Sequence, residues 1–283
     1  MLAEERRFRI REILTTQRTV SAADLKAMLG VTAATIRRDL AVLEQEGVLV
    51  RSHGGAVSRT SSTSFQPSYE VLGRSNRAEK QAIAREAGRL ILDGDTIFLE
   101  GSTTVYELAQ RILHHSRLTV VTNSPLIVCQ LQRSPNVTVM CTGGDLQKDV
   151  FYLSGLWAQR SISEIRVDKA MIGVSAIDPV YGLSTASHAE AQIKKMILKA
   201  AKVRIGLVDH SKFGNQGFAY VAPVTDLNIL VTDAGVDSKY VNQLREAGVE
   251  VIVAEITGKA DATTAAAIAV PAHSARKGAA RKR

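Results

Sequence analysis

"VTAATIRRDL", residues Val31–Leu40, carries two adjacent arginines in the middle of a short helical pattern. Ile36 and Leu40 stand four apart and share one helix face. Arg37 and Arg38 follow Ile36 by one and two positions, and at about 100° per residue they point away from that face. Thr32 can cap the helix, Leu43 continues its inner stripe, and Gly47 is placed to stop it. Upstream, Ser21 precedes Asp24 by three, the spacing of a capping box, and Leu25, Met28 and Leu29 form an apolar stripe that ends at Gly30. An earlier amphipathic helix runs from Glu4 to Thr16 with Ile10, Ile13 and Leu14 inward. Two helices joined by the tight turn Gly30–Thr32 make a helix-turn-helix.

In that motif the second helix of the pair enters a DNA major groove, and its amino-terminal residues reach base edges. Ala33, Ala34, Thr35, Arg37 and Arg38 occupy that end. The alanines allow close approach, Thr35 can touch a base or phosphate, and an arginine fork suits guanine or phosphate oxygens. Asp39 can orient an arginine. The following "VLVRSHGGAV" reads as a hairpin wing, with Arg51 and His53 at the sugar-phosphate backbone and Gly54-Gly55 letting an amide come close. With the capping residues Ser21 and Thr32, these positions form the expected DNA-binding set.

The charge distribution agrees. The 283-residue chain has a formal net charge of +8, 45% apolar and 23% charged residues, enough for two folded domains. Residues 1–59 carry +3, residues 60–270 carry 21 charges of each sign, and residues 271–283 carry five basic residues and no acid. A neutral body with basic ends suits nucleic acid, the commonest polyanionic partner. The two cysteines, Cys129 and Cys141, lie in apolar segments and read as buried thiols, not a disulfide. The six histidines show no zinc spacing, no cofactor is called for, and no apolar run reaches the ~18 residues of a membrane span. A soluble, cytoplasmic protein is expected.

"SRTSSTSFQPSYE", Ser58–Glu70, reads as a linker. Beyond it, short apolar runs at Leu118–Val121, Val137–Met140, Ala170–Val174, Ile205–Val208, Ile229–Val231 and Val249–Val253 alternate with helical stretches, which include Pro125–Leu131, Ala189–Ala201 and Lys239–Ala247. That alternation predicts an α/β domain with a mainly parallel sheet and helices on both faces. In such sheets ligands bind beyond the carboxyl ends of the strands. The candidate loops there are Gly101-Ser102-Thr103-Thr104, which opens a helix and suits phosphate, Thr122-Asn123, Thr142-Gly143-Gly144, and "VDHSKFG" with Asp209 and Lys212. Glu190 and Lys194 lie one helical turn apart and share a face. Taken singly, these read as a helix cap, a surface ion pair and a solvated lysine.

Arg6, Ile10, Leu14, Thr32 and Thr35–Leu40, followed by "LEQEGVLVRSHGGAV", stand in a register that closely resembles the DeoR family of bacterial regulators. From about Arg77 to Val253 the chain resembles that family's effector domain, itself similar to ribose-phosphate isomerases and CoA transferases. "VTNS", "TGGDL", "DKAMIGVSAID", which ends on Asp178, and "DHSKFG" carry the resemblance. It implies a phosphate held by the glycine/threonine loop and a sugar held by acids and a lysine, with Asp178 joining the effector set. One departure is "LEGSTT", where many members have Asp; this leaves Glu100 outside the expected ligand residues.

The expected organisation is a winged helix-turn-helix at 1–58, a linker at 59–75, an effector domain at 76–257 and a disordered basic tail at 258–283. The function implied is a DNA-binding transcriptional regulator, a repressor of carbohydrate metabolism genes, that binds an operator as a dimer or tetramer and responds to a phosphorylated sugar. The alternatives are a sugar-phosphate isomerase using Asp209 or Glu190 as base and Lys212 to stabilise an enediolate, and a purely architectural DNA-binding protein.

Overall fold

Helix boundaries in the first domain follow from capping chemistry. The computed structural model describes residues 1–283 except 18, 46, 47, 53, 59–65 and 257–283; Gly47, His53 and the tail therefore lie outside the described residues. The chain opens with α1 (Ala3–Thr16), β1 (Thr19–Ser21), α2 (Ala22–Leu29) and α3 (Ala33–Gln45). Ser21 accepts a hydrogen bond from the Asp24 amide at 3.0 Å and starts α2. Gly30, at φ 64°, closes it in the left-handed conformation that glycine tolerates. Thr32 accepts from the Thr35 amide at 3.2 Å and starts α3. Ile10, Leu14, Leu25, Leu29, Ile36, Leu40 and Leu43 meet in one core. Met28, read as part of the inner stripe, is exposed: Leu25 and Leu29 are four apart and point inward, and Met28 is turned off that line.

The wing is β2 (Leu49–Ser52) paired antiparallel with β3 (Gly55–Ser58). β1 adds a third strand along β3, with Ser21 opposite Gly55. A Cβ on Gly55 would stand 2.1 Å from the Val20 carbonyl oxygen, so this glycine serves the approach of β1.

The stretch read as a linker contains α4 (Tyr69–Arg74), whose Tyr69 and Val71 are buried. Then follow α5 (Arg77–Gly88), β4 (Thr96–Leu99), α6 (Thr103–Ala109), β5 (Leu118–Thr122), α7 (Pro125–Leu131), β6 (Val137–Cys141), β7 (Asp145–Gln147), β8 (Tyr152–Ser154), α8 (Gly155–Ser163) and β9 (Val167–Ile172). The chain continues through β10 (Ala176–Asp178), β11 (Gly182–Thr185), α9 (His188–Ala200), β12 (Ala201–Leu207), β13 (Ala219–Ala222), β14 (Ile229–Asp233), α10 (Ser238–Glu246) and β15 (Glu250–Ala254).

Among the described residues, seven strands form one sheet in the order β15-β14-β12-β9-β4-β5-β6, every neighbouring pair parallel. Alternation along each strand feeds two cores. Phe98, Ala170 and Ile172 pack with α8, α9 and α10 on one face. Ile97, Leu99 and Met171 pack with α5, α6 and α7 on the other. The sequence pattern did not show the second, antiparallel sheet β10-β11-β13 that lies beside this one. Both cysteines are exposed, contrary to the reading of buried thiols. Cys129 is exposed on α7, and Cys141 ends β6, an edge strand of the sheet.

Candidate nucleic-acid interface and ligand cavity

Arg37 and Arg38 project from α3 into solvent and form no ion pair among the described residues, while Ile36 and Leu40 hold the helix from beneath. Thr32, Ala33 and Ala34 are exposed beside them and Thr35 is half-buried. Asp39 does orient an arginine, but the partner is Arg6. The Arg6 guanidinium donates to both carboxylate oxygens of Asp39, at 2.5 and 3.2 Å, and both residues are buried. The fork fastens α1 to α3 and leaves Arg37 and Arg38 as the outward cations. Arg51 has a second tie: its amide and Nε donate to Glu44 at 3.0 and 2.6 Å, so the wing is held to α3 through this residue. The Gly54 carbonyl accepts from the Ala22 amide, linking the wing's turn to the start of α2.

The second site is a cavity of about 450 Å³ over the carboxyl ends of β4, β9 and β12. Eight expected positions line it: Gly101, Ser102, Thr103, Thr104, Glu190, Lys194, Asp209 and Lys212. Thr122 and Asn123 are buried one layer behind. The Gly101 amide donates to Asn123 Oδ1 at 3.0 Å, and Thr122 Oγ1 donates to the Leu99 carbonyl at 2.6 Å, so this pair shapes the loop from below. Because the Gly101 amide is engaged and the Val105 amide donates to Ser102 Oγ, the loop donors left to a ligand are the hydroxyls and amides of Thr103 and Thr104, whose amides have no intrahelical acceptor.

Gly143, Gly144 and Asp178 do not line the cavity. Gly144 packs against the Ser154 carbonyl and Ala158, and Asp178 accepts from the amides of Val180 and Tyr181 in the β10–β11 turn.

Glu190 and Lys194 are not a surface pair. Lys194 Nζ donates to Glu100 Oε1 at 2.5 Å and to the Gly173 carbonyl at 2.8 Å, with Glu190 Oε1 at 3.2 Å. Thr185 donates to the other oxygen of Glu190. Burial pushes the Glu100 carboxyl up and the Glu190 charge adds to this, against the pull of Lys194. Burial works against the charge of Lys194 as well, but the two carboxylates outweigh it and raise its pKa. Glu100, set aside on sequence, thus anchors a buried network of one cation and two acids. Gly173 lets the Ser102 loop come close to the end of β9: a Cβ there would stand 2.5 Å from Ser102 Oγ.

Asp209 caps the turn after β12 and accepts from Ser211 and from Asn76 Nδ2, the latter at 2.9 Å. Burial alone would raise its pKa, but Lys212 and Lys80, with the Ser211 and Asn76 bonds, hold it below the ordinary carboxylate range. Lys80, buried on α5, also lines the cavity and is not among the positions expected from sequence. Burial pushes its ammonium down to about 8, with Asp209 opposing the shift. The wall is completed by Tyr69, Leu72, Ser75 and Asn76 around α4, and by Glu12 and Ile13 of α1. Among the described residues no group of His, Cys, Asp and Glu could hold a metal, and no helix is long and apolar enough to cross a membrane.

A model of the DeoR-like helix-turn-helix domain matches residues 6–62, and a model of the DeoR C terminal sensor domain matches residues 75–234. The putative aga operon transcriptional repressor of Escherichia coli O157:H7 is 34% identical over 250 residues, covering 88% of this chain and 93% of that protein. The HTH-type transcriptional repressor GlcR of Bacillus subtilis is 33% identical over 255 residues, covering 90% and 98%. The ribose 5-phosphate isomerase A of Methanocaldococcus jannaschii aligns at a TM-score of 0.37 and 19% identity, over 49% of this chain and 55% of that one. With a DNA-reading domain at its amino terminus and a sensor domain behind it, the chain belongs to the DeoR family of helix-turn-helix transcriptional regulators.

Proposed function

We propose that this regulator is a repressor of carbohydrate metabolism genes that binds its operator as a homo-oligomer and whose DNA affinity is set by a phosphorylated sugar or related metabolite. The observation that carries the reading is the polarity of the cavity. Two lysines, Lys80 and Lys212, and the Thr103-Thr104 donors suit a phosphate, and the acids Asp209 and Glu190 suit sugar hydroxyls. The names of the two repressors support the same direction.

The isomerase alternative is weaker on the side of its candidate bases, Asp209 above all. Asp209 accepts three hydrogen bonds and is held below the carboxylate range, and Glu190 is tied to Thr185 and Lys194. A general base works best with a pKa near the operating pH, and Asp209 is displaced the wrong way.

A thermal-shift screen of phosphorylated sugars finds the effector, since a ligand at 100 times its dissociation constant stabilises by roughly 2.7 kcal/mol. Gel shift on a selected operator and calorimetry with that sugar then test the two sites separately. Arg37→Ala is expected to lose about 1–3 kcal/mol of operator binding and keep sugar binding. Lys212→Ala is expected to keep operator binding and lose the response to the sugar. A Lys212→Ala protein that responds like the parent overturns the assignment of this cavity, and turnover of any sugar phosphate by the parent restores the enzyme reading.

A further inference from the structure

The cavity has an unexpected wall: α4, the short helix that leads from the DNA-reading domain into the sensor domain. Its carboxyl end is held by Lys80 of α5. Lys80 Nζ donates to the Leu72 carbonyl and, at 2.9 Å, to the Ser75 carbonyl, both at the carboxyl end of α4. An ammonium has three donors, so two of them hold the helix. Directly after α4, Asn76 takes the left-handed conformation at φ 49°, ψ 41°, and its side chain reaches Asp209 across the cavity rim. At the other end, the Tyr69 ring stands edge-on to Tyr106 and Phe151, yet its hydroxyl is buried with no hydrogen-bond partner among the described residues. The outer side of α4 touches α1, where the Arg74 guanidinium lies 5.3 Å from the centroid of the Phe8 ring.

We propose that Lys80 is the coupling residue of the sensor: an anion entering the cavity takes over the ammonium that now holds the carboxyl end of α4, and the freed helix releases α1. The proposal rests on the reading of the cavity as a phosphate site. A phosphate oxygen carries a full charge and accepts more strongly than a neutral carbonyl, so the ammonium moves toward the ligand and the two α4 carbonyls lose their donor. α4 then has two arrangements, docked while Lys80 serves its carbonyls and released when an anion claims Lys80, which is what a ligand needs in order to shift a distant DNA site. Lys80 acts here as a positioning residue, and Asn76 is the hinge about which α4 moves.

Hydrogen exchange followed by mass spectrometry on the full chain tests this, with millimolar inorganic phosphate as the probe. In the parent, phosphate is expected to slow exchange over residues 100–106 and to speed it by roughly tenfold over 68–76 and 8–16. In Lys80→Gln, residues 68–76 are expected to exchange fast before phosphate is added, residues 100–106 to need more phosphate for the same protection, and residues 8–16 to show no response even once 100–106 are protected; Lys80→Arg restores the response. Phe8→Ala leaves Lys80 in place and covers the case of a Gln variant that does not fold: α4 should respond and α1 should not. Protection of 100–106 in the parent with α4 and α1 unchanged overturns the proposal, as does a parent-like α1 response in Lys80→Gln. Absence of protection at 100–106 in the parent overturns the phosphate site itself, and the proposal falls with it.

Discussion

Lys80 is a cation that its surroundings work against, and the consequence is a pH dependence with two opposite signs. Its folded-state pKa near 8 lies below the 10.5 of an ordinary lysine, with Asp209, Lys212, Glu107 and Glu79 as the charged groups that act on it. Between those values the unfolded chain holds a proton that the folded chain has released, so this residue makes stability rise across about pH 8–10. Ligand affinity runs the other way. A sugar phosphate is already dianionic above about pH 6, so the change near pH 8 belongs to the protein: the ammonium is lost and affinity falls. Calorimetric titrations of the parent at about pH 7 and about pH 9 should show that fall, and Lys80→Arg, which does not titrate there, should be flat. A parent as flat as the arginine variant would remove Lys80 from the anion's contacts.

Adjacent positions of α3 divide between two tasks at the level of the element. Asp39 joins α3 to α1 through a buried fork with Arg6, and Arg37 and Arg38 stand in solvent. Asp39→Asn leaves the Arg6 charge buried without its partner and should cost about 3–5 kcal/mol of folding stability. Arg37→Ala should stay within about 0.5 kcal/mol of the parent in the same denaturant titration. Equal losses would mean that the outward arginines also carry the fold. The elements themselves were largely legible: Ser21, Gly30 and Thr32 mark the helix ends chemically, and buried parallel strands appear as apolar runs. Partnership was the part that could not be read. A charged residue looks the same in sequence whether solvent or a carboxylate faces it, so the burial of Glu100, Glu190 and Lys194 and the role of Lys80 emerge only when β4, β9, α5 and α9 are brought together. α4 escaped notice because six residues are too few to display a helical period, and β10, β11 and β13 because strands of three or four residues barely alternate.

The charge of the whole molecule is concentrated at its ends, and residues 271–283 hold five basic residues without an acid. Removing Pro271–Arg283 should flatten the salt dependence of binding to nonspecific duplex, by about 0.9 in log–log slope for each phosphate those residues touch. Gel shifts across a salt series measure this, and an unchanged slope would mean that the segment does not reach the DNA. The two domains also differ in how separable they are. The DNA-reading core closes on its own apolar residues, yet Glu12 and Ile13 of α1 help to wall the sensor's cavity. For an engineer who wishes to graft this sensor onto another promoter reader, the seam therefore does not lie between the domains. A chimera spliced before α4 with a foreign first helix would recognise its promoter and fill its cavity, and the two events would pass unnoticed by each other. The transferable unit is the sensor together with the face of α1 that it touches.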